Sequence, residues 1–284
     1  LDYFYNSCND RTSHIKIKIM LDSKNIFFKK KILIYGLGKS GLSTFSFLKK
    51  KNHIYLYDDK KFKNNNIQIK KNLINYKKLT KLKIDNIIIS PGININKCHL
   101  SDFLKKNKKK INTDLDIFFS IHGKNRNITI TGTNGKSTTA QILYNVLKDQ
   151  KEDVRLVGNI GNPILSEKNV TNKTIFVIET SSYQLEYSKI FKSNIAAILN
   201  ISPDHLERHG TLKNYIRAKF KLIKNQTKKD FALLNTNNIH IKDQILKKKF
   251  SFKIIKINKK IGILNPKRLS NPYFMTEGNK ENLL

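Results

Sequence analysis

The chain has 284 residues, 39% of them hydrophobic, enough for two domains of ordinary size with their own cores. Its 55 Lys and Arg against 21 Asp and Glu give a formal charge of +34, a balance that by itself suggests nucleic acid or an anionic surface; yet the excess is lysine scattered from Lys16 to Lys280 among Asn and Ile, residue types that share A/T-rich codons, so base composition accounts for it and no nucleic-acid partner is expected. No apolar run approaches the roughly 20 residues that span a bilayer, no secretory signal opens the chain, and Cys8 and Cys98 show neither metal-ligand spacing nor a disulfide framework, which together predict a cytoplasmic protein without membrane insertion.

Residues 1–19 are polar and unpatterned, and Met20 is the first plausible start, so they are read as an extension outside the fold. The first strand expected is Lys31-Ile32-Leu33-Ile34-Tyr35; it runs into Gly36-Leu37-Gly38-Lys39-Ser40-Gly41 and then a helical pattern through Leu42, Phe45 and Leu48. A second strand, His53 to Tyr57, ends in Asp58-Asp59, placing a carboxylate about twenty residues past the glycines, as in the dinucleotide fingerprint. The physics specifies a diphosphate at a helix N-terminus and an acid near a ribose or base, which either NAD or a UDP-linked sugar supplies. A third strand, Asp85 to Ser90, opens into Pro91-Gly92 at the same edge. The polar, basic stretch Lys105 to Asn112 predicts a boundary, with one domain over 20–110 and a second over 111–284.

The second unit begins with the strongest motif of the chain, Ile128-Thr129-Ile130-Thr131-Gly132-Thr133-Asn134-Gly135-Lys136-Ser137-Thr138-Thr139. A strand enters a glycine turn and leaves on Lys-Ser-Thr at a helix start. Such a turn aims backbone N–H groups and the positive helix end at phosphates, Lys136 supplies a point charge, and the Ser137 hydroxyl can ligate Mg²⁺. Two residues separate the glycines here, not four, so the ordinary P-loop spacing is not met. A helix from Lys136 to about Lys148 follows, with strands at Val154 to Val157, Thr174 to Ile178, Ile195 to Leu199 and Phe231 to Leu234; strands alternating with helices predict a mostly parallel covered sheet.

Two strand ends carry further chemistry. Ile175-Phe176-Val177-Ile178 terminates in Glu179, a hard oxygen ligand placed to share Mg²⁺ with ATP phosphates. Asn200 to Gly210 follows another strand and brings Asp204 and His205 to the same edge as metal or phosphate contacts. On the next helix Leu212, Tyr215, Ile216, Lys219, Leu222 and Ile223 form one stripe, so Lys219 points inward while Lys213, Arg217, Lys221 and Lys224 face water. An inward lysine either snorkels as an ammonium or is driven to the neutral amine, the form that adds CO₂ to become a carbamate, an oxygen ligand for Mg²⁺.

The TGTNGKST loop, together with Gly36-Leu37-Gly38-Lys39-Ser40-Gly41, Ser90-Pro91-Gly92, Gly158-Asn159-Ile160-Gly161, Glu179-Thr180-Ser181-Ser182-Tyr183-Gln184-Leu185 and Asp204-His205, resembles the MurD family of Mur ligases in order and spacing from about residue 31 to 225. Folylpolyglutamate synthetases share the loop but lack the amino-terminal UDP domain. The resemblance implies an α/β protein: a Rossmann-like UDP-binding domain followed by a P-loop-type, mostly parallel α/β ATP-binding domain. It implies a monomeric ATP-dependent ligase that adds D-glutamate to UDP-N-acetylmuramoyl-L-alanine through an acyl phosphate. By that likeness Gly132, Thr133, Asn134, Gly135, Lys136, Ser137 and Thr138 bind ATP, and Lys136 steadies the transferring phosphoryl group. Ser137 and Glu179 hold one Mg²⁺, and His205 and carbamylated Lys219 a second. Lys39, Ser40, Asp58, Ser90, Pro91 and Gly92 cradle UDP, and Asn159 approaches the sugar or the metal-bound substrate. Such ligases carry a third domain for D-glutamate. Residues 277–284 look like the start of the last central-domain helix, so the third domain is expected to be missing and no ligation is expected from these 284 residues alone.

Overall fold

A computed structural model describes residues 25–60 and 66–257; the expected extension at 1–19 and the helix start at 277–284 lie outside the described residues. Two parallel sheets carry the fold. The first has the order β2-β1-β3-β4, from β1 (Lys31–Tyr35), β2 (His53–Tyr57), β3 (Asn86–Ile89) and β4 (Ile111–Asn112). In register, Ile34 pairs with Leu56 on one side and Ile88 on the other. Ile32 to Tyr35 are fully buried, the continuous apolar run expected of a strand covered on both faces.

The second sheet has the order β10-β9-β8-β5-β7-β6, from β5 (Asn127–Thr131), β6 (Val154–Gly158), β7 (Ile175–Glu179), β8 (Ile195–Ile198), β9 (Phe231–Asn235) and β10 (Lys253–Ile257), every pairing parallel. The chain leaves β5 toward β6, returns through β7, and crosses to β8 on the other side. That reversal opens a crevice at the carboxyl ends of β5, β7 and β8, where open α/β sheets bind ligands. The first sheet makes the same switch between β1 and β3, and Gly36 and Ser90 meet there: the Ser90 Oγ donates to the Gly36 carbonyl at 2.7 Å. Gly41, on the helix Lys39–Leu48, packs so close that a Cβ would stand 1.9 Å from the Gly36 carbonyl oxygen.

Ile111 and Asn112, at the expected boundary, pair with Ile87 and Ile88 and complete the first sheet. β10 went unforeseen: its Lys-Ile-Ile-Lys-Ile run lies at an edge, where lysines are tolerated. The inward-striped helix is α-helical only over Leu212–Phe220 and tightens into a 3₁₀ turn over Lys221–Ile223. This turns Lys221, expected in water, onto the Glu186 carbonyl, and burial lowers its pKa.

The connecting helix Asp114–His122 ties the sheets together. It begins with a capping box in which the Asp116 carboxylate accepts the Thr113 N–H at 3.0 Å. The other carboxylate oxygen of Asp116 accepts from Ser188 Oγ at 2.9 Å and from the N–H groups of Lys189, Ile190 and Phe191 at 2.8, 2.8 and 3.2 Å. Phe118 meets Phe176 of β7 edge-on at 4.8 Å, and one continuous apolar cluster includes Ile32, Ile34 and Leu48 of the first unit with Leu115, Phe118, Phe176 and Ile178. Each such fully buried side chain stabilises the fold by about 1.5–3 kcal/mol. Among the described residues no helix is long and apolar enough to cross a membrane.

Candidate functional site

The phosphate loop leaves β5 at Thr131 and enters the helix Lys136–Asp149 through Gly135, whose φ is +80°. Lys136 and Ser137 open the helix, where backbone N–H groups have no preceding turn to bond, as an anion site requires. Lys136 folds back so that its Nζ donates to the Thr133 carbonyl at 2.8 Å. The Thr133 and Asn134 N–H groups donate to the side-chain oxygen of Asn200 at 3.1 and 2.8 Å.

Glu179 ends β7 one strand away and is fully buried. Its two carboxylate oxygens are gripped from opposite sides: Ser137 Oγ donates to one at 2.8 Å, and Asn159 Nδ2 donates to the other at 2.8 Å. Asn159 reaches this position because Gly158 adopts φ +111° and lies so close to β7 that a Cβ would sit 2.2 Å from the Glu179 carbonyl oxygen. A buried carboxylate with a hydroxyl and an amide is a hard-oxygen set of the kind Mg²⁺ takes. Among the described residues no three His, Cys, Asp or Glu side chains cluster to cage a metal.

Lys219 is 2% exposed, on the inward stripe of its helix. Its Nζ donates to the Gly132 carbonyl at 2.6 Å and lies 4.7 Å from the centre of the Tyr215 ring. Burial, reinforced by the Lys136 charge and opposed by Asp204, lowers its pKa to about 7. The inward reading of this lysine therefore holds against the snorkelling one.

The segment after β8 forms the outer wall. His205 adopts φ +53° and is exposed, with Nε2 3.4 Å from Asp204 and Nδ1 3.7 Å from Glu207, and its ring lies tilted against that of Tyr183 with centres 4.9 Å apart. It shares Tyr215 as a neighbour with Lys219, its ring centre lying 6.4 Å from that of the tyrosine. Sequence reasoning passed over the second histidine of Asp204-His205-Leu206-Glu207-Arg208-His209. His209 is buried, bonds Ser182 Oγ through Nε2 at 3.0 Å, and lies 5.7 and 5.4 Å from the Tyr183 and Tyr215 rings; burial lowers its pKa. Its spacing of four from His205 was the available signal.

In the first unit the Asp58 carboxylate accepts the Leu37 N–H at 2.6 Å and the Lys60 N–H at 2.9 Å, which fixes the glycine turn from below. Lys39 stands exposed at the helix start, and in the turn after β3 Pro91 is half-buried and Gly92 exposed. Ser40 differs from expectation: its hydroxyl donates to Asp114, a buried carboxyl whose pKa is raised by desolvation. Its side chain braces the connecting helix, and its backbone N–H remains at the helix start. Thus the structure gathers the loop, Glu179, Asn159 and Lys219 into one crevice, sets His205 on its wall, and places Lys39, Ser40, Asp58 and Ser90 to Gly92 at the separate edge of the first sheet.

Two parallel sheets, one ending in a glycine turn at a helix start and the other in a phosphate-loop motif beside the buried Glu179, define an α/β protein with Rossmann-like and P-loop-type units. The Mur ligase middle domain matches residues 130–278, and the Mur ligase MurD-like N-terminal domain matches residues 30–112. The chain belongs to the Mur ligase family. It is 35% identical over 229 residues to a UDP-N-acetylmuramoylalanine--D-glutamate ligase of Caldicellulosiruptor saccharolyticus, covering 77% of this chain and 50% of that protein. An identically named protein of Rickettsia bellii is 35% identical over 213 residues, 74% and 47% of the two chains. The chain thus spans about half the length of the curated relatives it matches. Among solved structures, a UDP-N-acetylmuramate:L-alanyl-gamma-D-glutamyl-meso-diaminopimelate ligase from Neisseria meningitides shares the fold with a TM-score of 0.53 at 15% identity, covering 80% of this chain and 78% of that one.

Proposed function

We propose that this chain supplies the UDP-sugar and ATP sites of a cytoplasmic, ATP-dependent ligase that adds D-glutamate to UDP-N-acetylmuramoyl-L-alanine in peptidoglycan synthesis. The observation that carries the reading is the convergence of Lys136, Ser137, Glu179 and Lys219 at the carboxyl ends of neighbouring strands. The likeness to relatives named for D-glutamate addition supplies the substrate pair.

In this reading the L-alanyl carboxylate attacks the terminal phosphorus of ATP and ADP leaves; the D-glutamate amine then attacks the acyl carbon and phosphate leaves. Lys136 swings from the Thr133 carbonyl to the phosphoryl oxygens, where charge accumulates. Backbone N–H groups at the start of helix Lys136–Asp149 hold the remaining phosphate charge. Ser137 and Glu179 would hold Mg²⁺, with phosphate and water completing its shell because the described residues form no closed cage. A lysine with pKa near 7 is substantially the free amine at neutral pH, and the neighbouring Lys136 charge would balance a carbamate there, so Lys219 fits that modification and His205 stands as the companion ligand. When bound, the ions neutralise phosphate charge. Ser90, Gly36 and the Asp58-braced turn would receive the UDP diphosphate, and Asn159 would orient the sugar.

Calorimetric titration of the 284-residue chain with the UDP-sugar, with ATP and Mg²⁺, and with NADH tests this. Saturable binding of the first two and none of NADH is expected. Binding of NADH with rejection of the UDP-sugar would overturn the reading.

A further inference from the structure

Asn200 follows β8 by two residues and has no place in the phosphate-loop motif, yet its side chain and backbone bond that loop directly. Its Oδ1 accepts the N–H groups of Thr133 and Asn134 at 3.1 and 2.8 Å, and its Nδ2 donates to the Asn134 carbonyl at 3.1 Å. Its own carbonyl also lies 3.0 Å from the Thr133 nitrogen.

Two residues on, a second set of bonds is made by the Thr133 hydroxyl. It donates to the Ser202 carbonyl at 3.3 Å and accepts from the Ser202 N–H at 3.0 Å and from the Tyr215 hydroxyl at 3.1 Å. A hydroxyl has one proton and two lone pairs, so this one is saturated and offers nothing to a phosphate. The Thr133 and Asn134 N–H groups are likewise engaged, which leaves the phosphates to the N–H groups from Gly135 onward and to Lys136.

We infer that Asn200 is a positioning residue for nucleotide binding: with Thr133 it clasps the apex of the phosphate loop to the 200–205 segment, fixing the loop in its phosphate-receiving shape and setting its spacing from His205. The inference rests on the nucleotide reading proposed above. An unclasped loop must order itself when the nucleotide arrives, and that conformational cost is subtracted from affinity. Without the clasp the three side-chain bonds of Asn200 are absent from the free protein, and much of their ordering effect returns as lost affinity.

The test is calorimetric titration of the whole chain with ATP and Mg²⁺, and separately with the UDP-sugar, for wild type, Asn200→Ala, Thr133→Val and Thr133→Ser. Asn200→Ala and Thr133→Val should each bind ATP about tenfold or more weakly, Thr133→Ser should match wild type because it keeps the hydroxyl, and UDP-sugar affinity should be unchanged in all four. Circular dichroism melting without ligand checks that the variants fold. Wild-type ATP affinity in Asn200→Ala would overturn the clasp while leaving the nucleotide reading intact. Equal losses for ATP and UDP-sugar, accompanied by a collapsed melting curve, would reduce Asn200 to a structural residue and also overturn it. Failure of the wild-type chain to bind ATP would remove the nucleotide reading and the clasp with it.

Discussion

The Lys219 ammonium and the Gly132 carbonyl, 87 residues apart in sequence, stand 2.6 Å from each other beneath the phosphate loop. A lysine buried to this degree is held as a cation by that carbonyl, by the Tyr215 ring and by the more distant Asp204, while Lys136 opposes it. The loop therefore rests on a group whose charge is in balance near neutrality.

Stability should accordingly depend on pH in a definite direction. The folded-state pKa of about 7 lies below the ordinary 10.5, so between these values the unfolded chain binds more protons than the folded one and stability rises with pH. The penalty is fully present below about 7 and vanishes above about 10.5. Replacing Lys219 by Met should flatten this dependence, by at most about 1.4 kcal/mol per pH unit. Denaturant midpoints from pH 7 to 10 measure it; identical slopes in the two proteins would show that the lysine is not held as described.

Lys136→Ala should leave the melting temperature within a few degrees of wild type and abolish measurable ATP binding, because this side chain touches only a loop carbonyl in the free protein. Fluorescence titration with a labelled ATP analogue reads the loss. Undiminished affinity would place the phosphates elsewhere.

Glu179→Gln preserves size and keeps one acceptor oxygen for Ser137 or Asn159, but turns an NH₂ group toward the other donor and removes the charge. The expected outcome is a selective effect: ATP affinity in Mg²⁺ falls about tenfold or more, while affinity in EDTA changes little. Equal affinities with and without Mg²⁺ in both proteins would argue that the carboxylate serves the fold alone.

Asp116→Ala strips partners from the Lys189, Ile190 and Phe191 N–H groups at once. Leaving the buried Phe191 donor and the partly buried Lys189 and Ile190 donors unsatisfied should cost about 3 kcal/mol, readable as a lowered urea midpoint. A loss below about 1 kcal/mol would mean that water replaces the carboxylate there.

The legible part of this protein was local. Four- and five-residue apolar runs gave β1, β5, β7 and β8 nearly to the residue, and their carboxyl ends gave the loop and Glu179. Lys219 was found because a 3.6-residue period reveals direction as well as helicity. What escaped was set by contacts far apart in sequence. The Ser40 hydroxyl is taken by Asp114, 74 residues away, and the Thr133 and Asn134 amides by Asn200, 67 and 66 away, so glycine motifs that read as free donors arrive partly engaged. β4 is two residues long and carries no periodicity at all; only its register with β3 makes it a strand.

The apolar cluster that runs from Ile32 and Leu48 through Phe118 to Phe176 also has a thermal consequence. Two chain segments that look like separate domains share this cluster, each keeping a second one of its own, so neither can melt without opening the apolar packing of the other. Scanning calorimetry of the 284-residue chain should show one endotherm with van't Hoff and calorimetric enthalpies in agreement, the mark of all-or-none unfolding. A destabilising change beneath the glycine turn of the first sheet would then be felt as lost occupancy of the phosphate crevice in the second, with no signal passing between the ligands themselves.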